Sequence, residues 1–107
     1  MIKEVERMEQ KKIKHKLKSG ILTIYTNNAF TFEDHDQFLK IYRQPDVSKI
    51  VLNMKDTDYI DSSAMGIMIM IKEYTTKKGI EVKVVKVQKF VKKILTVANF
   101  QKLFDIS

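Results

Sequence analysis

The chain has 107 residues, a formal charge of +7 from 20 Lys and Arg against 13 Asp and Glu, and 44% hydrophobic residues, which suffices for one buried core and not for two. Three Gly and one Pro exclude collagen-like and Pro-rich disordered classes, and the lack of Cys excludes disulfide scaffolds, thiolate zinc sites and cysteine nucleophiles. The longest apolar run, Ala64 to Ile71, is eight residues, far below the roughly 20 needed to span a bilayer. The first residues have no apolar core of the signal-peptide kind, so an intracellular, cytoplasmic soluble domain is expected.

Residues 1–11 read as a basic lead-in. Lys3, Arg7, Lys11, Lys12, Lys14, Lys16 and Lys18 outnumber Glu4, Glu6 and Glu9 in the first 18 positions. Residues 12–107 read as one folded domain. From Ile13 to Lys18 apolar and basic residues alternate, which predicts a half-exposed strand with Ile13, His15 and Leu17 on one side. Ser19-Gly20 is a turn signal, and Ile21 to Thr26 resumes the strand pattern, so a β-hairpin is expected. Asn27-Asn28 breaks the second strand, because Asn tolerates left-handed backbone angles. Thr31 can cap a helix, with Asp34 three residues on in the positive first turn. Phe32, Phe38, Leu39, Ile41 and Tyr42 then fall largely on one helical stripe, and Pro45 lies beyond its end.

Lys49 to Met54 reads as a buried strand. The apolar stretch that follows is ambiguous by periodicity, but its length and ends favour a helix. Asp61 or Ser62 can cap its start, Lys77 and Lys78 suit its last turn, and Gly79 suits the position beyond. It is expected to be buried on most of its circumference at its start. Ile80 to Val87 reads as another strand, and residues 89–98 as a helix carrying Phe90, Val91, Ile94, Leu95, Val97 and Ala98. Asn99 is a stop. Phe100, Leu103, Phe104 and Ile106 form a terminal apolar turn that docks on the core. The order β-β-α-β-α-β-α with a short final helix implies an α/β layered fold, with a mixed sheet of about four strands packed by helices.

One segment concentrates unusual chemistry: Asp58-Tyr59-Ile60-Asp61-Ser62-Ser63-Ala64-Met65-Gly66. A buried strand ends just before it, and a helix begins at two hydroxyls. A helix N-terminus holds backbone N–H groups without internal partners and about half a positive charge, which together stabilise a phosphate. A serine there is a sensible phospho-acceptor. It is also an ordinary cap, the commoner role of a serine at such a place, and on the residues alone both readings stand.

Ile60-Asp61-Ser62-Ser63-Ala64-Met65-Gly66 resembles the signature of STAS domains, specifically the single-domain bacterial anti-sigma factor antagonists. The resemblance extends to Phe30-Thr31-Phe32 with His35 and Phe38, and to Val91–Phe100 with Lys102-Leu103-Phe104, so it spans residues 12–107. It implies a STAS-type fold and a non-enzymatic partner-switching module without a cofactor. It further implies that Ser62 is phosphorylated by an anti-sigma factor with serine kinase activity, and that the unphosphorylated form binds this kinase and frees a sigma factor or another client. A PP2C-type phosphatase resets the switch. Asp61 and Ser63 flank the acceptor, and Thr31, Asp58, Ala64, Met65, Gly66 and Met68 are the expected partner-binding residues, on a monomer or weak dimer. Two positions depart from the family pattern. Ala64 stands where many members have Gly, which should stiffen the helix start. Thr31 stands where many carry Asp, which bears on partner identity.

Other classes receive less support. Met65, Met68 and Met70 fit core and interface packing rather than metal ligation. His15 and His35 lack a partner at metal-ligand spacing, and Asp56, Asp58 and Asp61 fit as helix-dipole partners better than as a cation site. Lys83, Lys86, Lys89, Lys92, Lys93 and Lys102 would suit nucleic-acid or scaffold binding, but no helix-turn-helix or aromatic-basic platform accompanies them. A serine hydrolase would need a nucleophile elbow and a His–acid pair, neither of which is evident. Neither nucleic acid nor membrane is therefore an expected partner.

Overall fold

The computed structural model describes residues 11–107, so the lead-in expected over residues 1–11 lies, but for Lys11, outside the described residues. In chain order the elements are β1 (Lys14–Lys18), β2 (Ile21–Tyr25), β3 (Ala29–Phe30), a 3-10 turn (Phe32–Asp34), α1 (His35–Tyr42), β4 (Lys49–Asn53), β5 (Tyr59–Ile60), α2 (Ser62–Lys78), β6 (Glu81–Val85), α3 (Lys89–Val97), a second 3-10 turn (Phe100–Lys102) and β7 (Asp105–Ile106).

The hairpin forms where the turn signal places it. Ser19 and Gly20 both take positive φ, 53° and 80°, the pattern of a type I′ turn whose twist suits a two-residue connection. A β-carbon on Gly20 would lie 2.7 Å from the Ser48 hydroxyl, so backbone angle and close approach both demand glycine. β1 pairs antiparallel with β2, and every other pairing is parallel, giving a five-stranded mixed sheet in the order β1-β2-β4-β6-β7. The expected four strands gain a fifth, because Asp105–Ile106 adds β7 beside β6. Two residues are too few to show a period of 2.

Rows across the sheet explain where the core sits. Leu22, Ile50 and Val82 are neighbours, as are Ile24, Leu52, Val84 and Ile106, and all but Ile106 are buried. The intervening rows, among them Tyr25-Asn53-Val85, stay half-exposed. The helices therefore cover one face only. α1 contributes Phe38, Ile41 and Tyr42, α2 contributes Ala64, Ile67, Met68 and Ile71, and α3 contributes Val91 and Leu95. Phe100 and Phe104 dock on the same core with Ile106 partly buried against it, as expected of the terminal turn, but Leu103 is exposed. No helix among the described residues is long and apolar enough to cross a membrane.

Three local expectations need correction. All five residues of β1 are exposed, and only Ile13 before it is buried. His15 and Leu17 do face the side of Ile24 and Leu22, but β1 is the sheet edge and the helical layer stops short of it. Neither Asn27 nor Asn28 is left-handed; the non-glycine residues with positive φ among those described are Ser19, Asp46, Lys86 and Asn99. α2 is not buried around its start, since Ser62, Ser63 and Gly66 are exposed.

Leu52 lies in a central strand and is fully buried, so Leu52→Ala should lower stability by about 3 kcal/mol in urea denaturation. Leu17→Ala on the uncovered edge should change it by less than about 0.5 kcal/mol.

Candidate functional site

The loop ahead of α2 is held by main-chain and hydroxyl contacts. The Asn28 carbonyl accepts from the N–H groups of Asp58 and Tyr59, at 3.0 and 3.2 Å. The buried hydroxyls of Thr26 and Thr57 hydrogen-bond each other, and Thr57 Oγ1 donates to the Asn27 carbonyl at 2.7 Å. These bonds tie residues 57–59 to the end of β2. β3 and β5 then pair in parallel, and the Asp61 N–H reaches the Phe30 carbonyl at 3.4 Å. Phe30 stacks on Phe38 of α1 with centroids 5.0 Å apart. The entry to α2 is thus fixed to the sheet on one side and to α1 on the other.

Asp61 is the cap of α2. It is extended, with φ −111°, and its Oδ1 accepts from the Ala64 N–H at 2.8 Å. Ser62 is consequently the first helical residue, and both Ser62 and Ser63 are exposed. The far end of α2 closes as the sequence predicts, with Gly79 left-handed at φ 70° and Lys77 and Lys78 in the last turn.

Across from this start, Thr31 Oγ1 accepts from the Glu33 N–H at 3.4 Å, and Asp34 Oδ2 accepts from the Thr31 N–H at 3.1 Å. This reciprocal pair caps a 3-10 turn rather than the helix itself, and α1 begins only at His35. Phe32, expected on the buried stripe, is 64% exposed. Burial pushes the Asp34 carboxyl above its ordinary 3.8 against the opposing Thr31 hydrogen bond, and the nearby charges of Glu33 and Asp61 push it further up.

The expected partner-binding residues separate into two groups. Asp58 and Gly66 are exposed, and Thr31 and Met65 are half-buried. A β-carbon added to Gly66 would meet nothing within 4 Å. Ala64 and Met68 are wholly buried. They lie in the core with Ile71 and Thr75 at spacings of four, three and four residues, and so have no side-chain surface to offer a partner. Asp56, Asp58 and Asp61 form no group of three that could hold a cation among the described residues.

Two open grooves flank the start of α2. One, of about 660 Å³, lies toward α1 and is lined by Phe32, Glu33, His35, Asp36, Ser63 and Met70 among others. The other, of about 470 Å³, lies toward α3 and is lined by Met65, Phe90, Lys93, Ile94, Val97 and Ala98. Phe90 and Val97 belong to the helical apolar pattern of residues 89–98 yet face outward. Six apolar residues over ten positions were the available signal, since they spread wider than one core-facing stripe.

Removing the cap by Asp61→Ala should destabilise the chain by about 1 kcal/mol in urea denaturation. Because the folded chain raises the pKa of Asp34, its contribution to stability is fully present below 3.8 and is lost as pH rises through the raised value. Asp34→Asn keeps an acceptor for Thr31 without the charge. It should be more stable than the parent at neutral pH and lose that advantage below 3.8, as measured by urea denaturation at both pH values.

The STAS domain family model matches residues 6–107. A curated STAS-domain containing protein of Pseudomonas aeruginosa (strain UCBPP-PA14) is 28% identical over 88 residues, covering 80% of this chain and 87% of the relative. A candidate anti-sigma factor antagonist from Thermotoga maritima has a similar structure, with TM-score 0.76 at 20% identity over 88% of this chain and 84% of that one. The anti-sigma factor antagonist SpoIIAA in its unphosphorylated form gives TM-score 0.77 at 14% identity, with 89% and 87% covered. Its phosphorylated form from Bacillus gives 0.68 at 10% identity, with 89% and 90% covered. At these identities the structural likeness shows the mixed α/β fold, whereas the family match reaches from residue 6 to the last residue; the chain therefore belongs to the STAS domain family.

Proposed function

We propose that this chain is a phosphorylation-controlled partner-switching regulator of the anti-sigma factor antagonist kind, with Ser62 as the phospho-acceptor. The observation that carries this reading is the placement of Ser62: exposed, on the first turn of α2, and relieved of capping by Asp61. Its hydroxyl can be modified without dismantling the helix start. SpoIIAA, which shares the fold, is described in unphosphorylated and phosphorylated forms, and this supports the same chemistry here.

In this reading the unphosphorylated chain binds an anti-sigma factor that is also a serine kinase, and a sigma factor or other client is freed. The chain is a substrate of that kinase and performs no catalysis itself. Met65 supplies an adaptable apolar contact one turn from Ser62, while Gly66 and Ser63 present a low surface beside it. Asp61 holds the helix start in place, and Asp58 and Thr31 stand at the margin. Phosphorylation adds about −1.5 to −2 charges to a region that already carries Glu33, Asp34, Asp36, Asp58 and Asp61. The added charge must be desolvated on docking and repels any carboxylate of the partner. A loss of about 2 to 3 kcal/mol weakens binding roughly 30- to 150-fold, enough for a switch without refolding. A PP2C-type phosphatase restores the binding form.

The test pairs mass spectrometry of the chain isolated from its own cell with calorimetry against the anti-sigma factor that co-purifies. A phosphate on Ser62 rather than Ser63 is expected. Ser62→Ala should bind the partner constitutively, and Ser62→Asp should bind at least about tenfold more weakly. If both variants bind as the parent does, or the phosphate resides on Ser63 alone, the assignment of Ser62 is wrong.

A further inference from the structure

α3 presents two adjoining apolar faces. Val91 and Leu95 enter the core. Phe90, Ile94 and Val97 follow each other at spacings of four and three residues on the neighbouring face, with Phe90 63% and Val97 78% exposed. They form one wall of the groove toward α2, and Met65 forms the other. The α3 side of the groove is basic: from Lys86 to Lys102 the chain has five lysines and no carboxylate, while Lys83 is paired with Asp105 at 3.8 Å and, on the α2 side, Asp61 lies one turn before Met65. Lys93 lines the groove itself, and Lys89 lies one helical turn before it. On the far side of α2 the polarity reverses, since Glu33 and Asp36 line the other groove.

We propose that the groove between α2 and α3 is a docking site for an acidic amphipathic helix of a partner protein. Apolar side chains repeating every three to four residues would seat between Met65 and the Phe90–Val97 wall, as amphipathic helices do in apolar grooves. Flanking carboxylates would meet Lys89 and Lys93, which steers the encounter and fixes its direction. A second copy of this chain presenting the same groove is a poor occupant. It would bring two sets of Lys89, Lys92 and Lys93 together with no carboxylate of this segment to offset them. The groove shares Met65 with the surface proposed above, while its other wall and its lysines belong to α3.

The test uses a synthetic helical peptide with Leu at i, i+4 and i+7 and Glu along both flanks, beside a counterpart with Lys in place of every Glu. Both are titrated into the full chain by fluorescence anisotropy and by amide chemical-shift mapping. The acidic peptide should bind, with shifts confined to α3 and the Met65 turn, and added salt should weaken it. Val97→Asp, and separately Lys89→Glu with Lys93→Glu, should each weaken it at least about tenfold. Both sets of positions are exposed, and circular dichroism checks that the variants remain folded. Peptide binding is read on the unphosphorylated chain and the phospho-switch on the co-purified anti-sigma factor, so failure of the phospho-switch and failure of this docking site are distinguishable. Equal binding of both peptides, or shifts located elsewhere, would overturn the proposal. So would a concentration-dependent dimer that Val97→Asp dissolves, which would assign the groove to a second copy. Binding to phosphatidylglycerol vesicles that is lost in Val97→Asp, without peptide binding, would assign it to a lipid surface instead.

Discussion

The hydrogen bond from the Ala64 N–H to Asp61 decides which residue is in the helix and which is outside it. With Asp61 extended as the cap, Ser62 falls on the first turn and faces solvent, while Ala64 and Met68 turn onto the sheet. A cap one residue later would rotate the whole helix by about 100° relative to its sequence. Ala64 would leave the core, and a different pair of side chains would be presented to solvent. The Asn28 carbonyl, the Thr26–Thr57 hydroxyl pair and the β3–β5 pairing matter because they hold Asp61 where it can make this bond.

The parts of this arrangement that depend on nearby residues were readable in the sequence. Gly20, Gly79 and Asn99 occupy left-handed backbone conformations that their own chemistry favours, and each punctuates an element as expected. Apolar alternation in β6 marked its covered face, with Val82 and Val84 buried, whereas β4, expected to be a buried strand, is covered only at Ile50 and Leu52. The segment Asp61-Ser62-Ser63 announced a helix start. It could not say which residue caps, because Asp and Ser are nearly equal in that role, and the choice falls to the contact between the Asp61 N–H and Phe30.

What was not readable has physical causes that differ from place to place. Ala64 through Ile71 is apolar on every side, so no periodicity marks which of Met65 and Met68 meets solvent; only the docked sheet does so. Phe32 was misplaced because the residues after Thr31 form a tighter 3-10 turn, with three residues per turn instead of 3.6. That rotates Phe32 away from the stripe of Phe38 and Ile41. β1 has the alternation of a covered strand but stands at an edge that the helices do not reach, and alternation carries no information about what lies above a strand.

Gly66 bears a further consequence. Glycine in a helix costs about 1 kcal/mol relative to alanine, and here neither a left-handed backbone nor a crowding neighbour calls for it. The second turn of α2 is therefore weaker than its surroundings require, and its main chain lies bare. Another molecule resting on that turn can come nearer to the peptide groups by the depth of a methyl group, in a helix whose own cohesion is lower for leaving that methyl out.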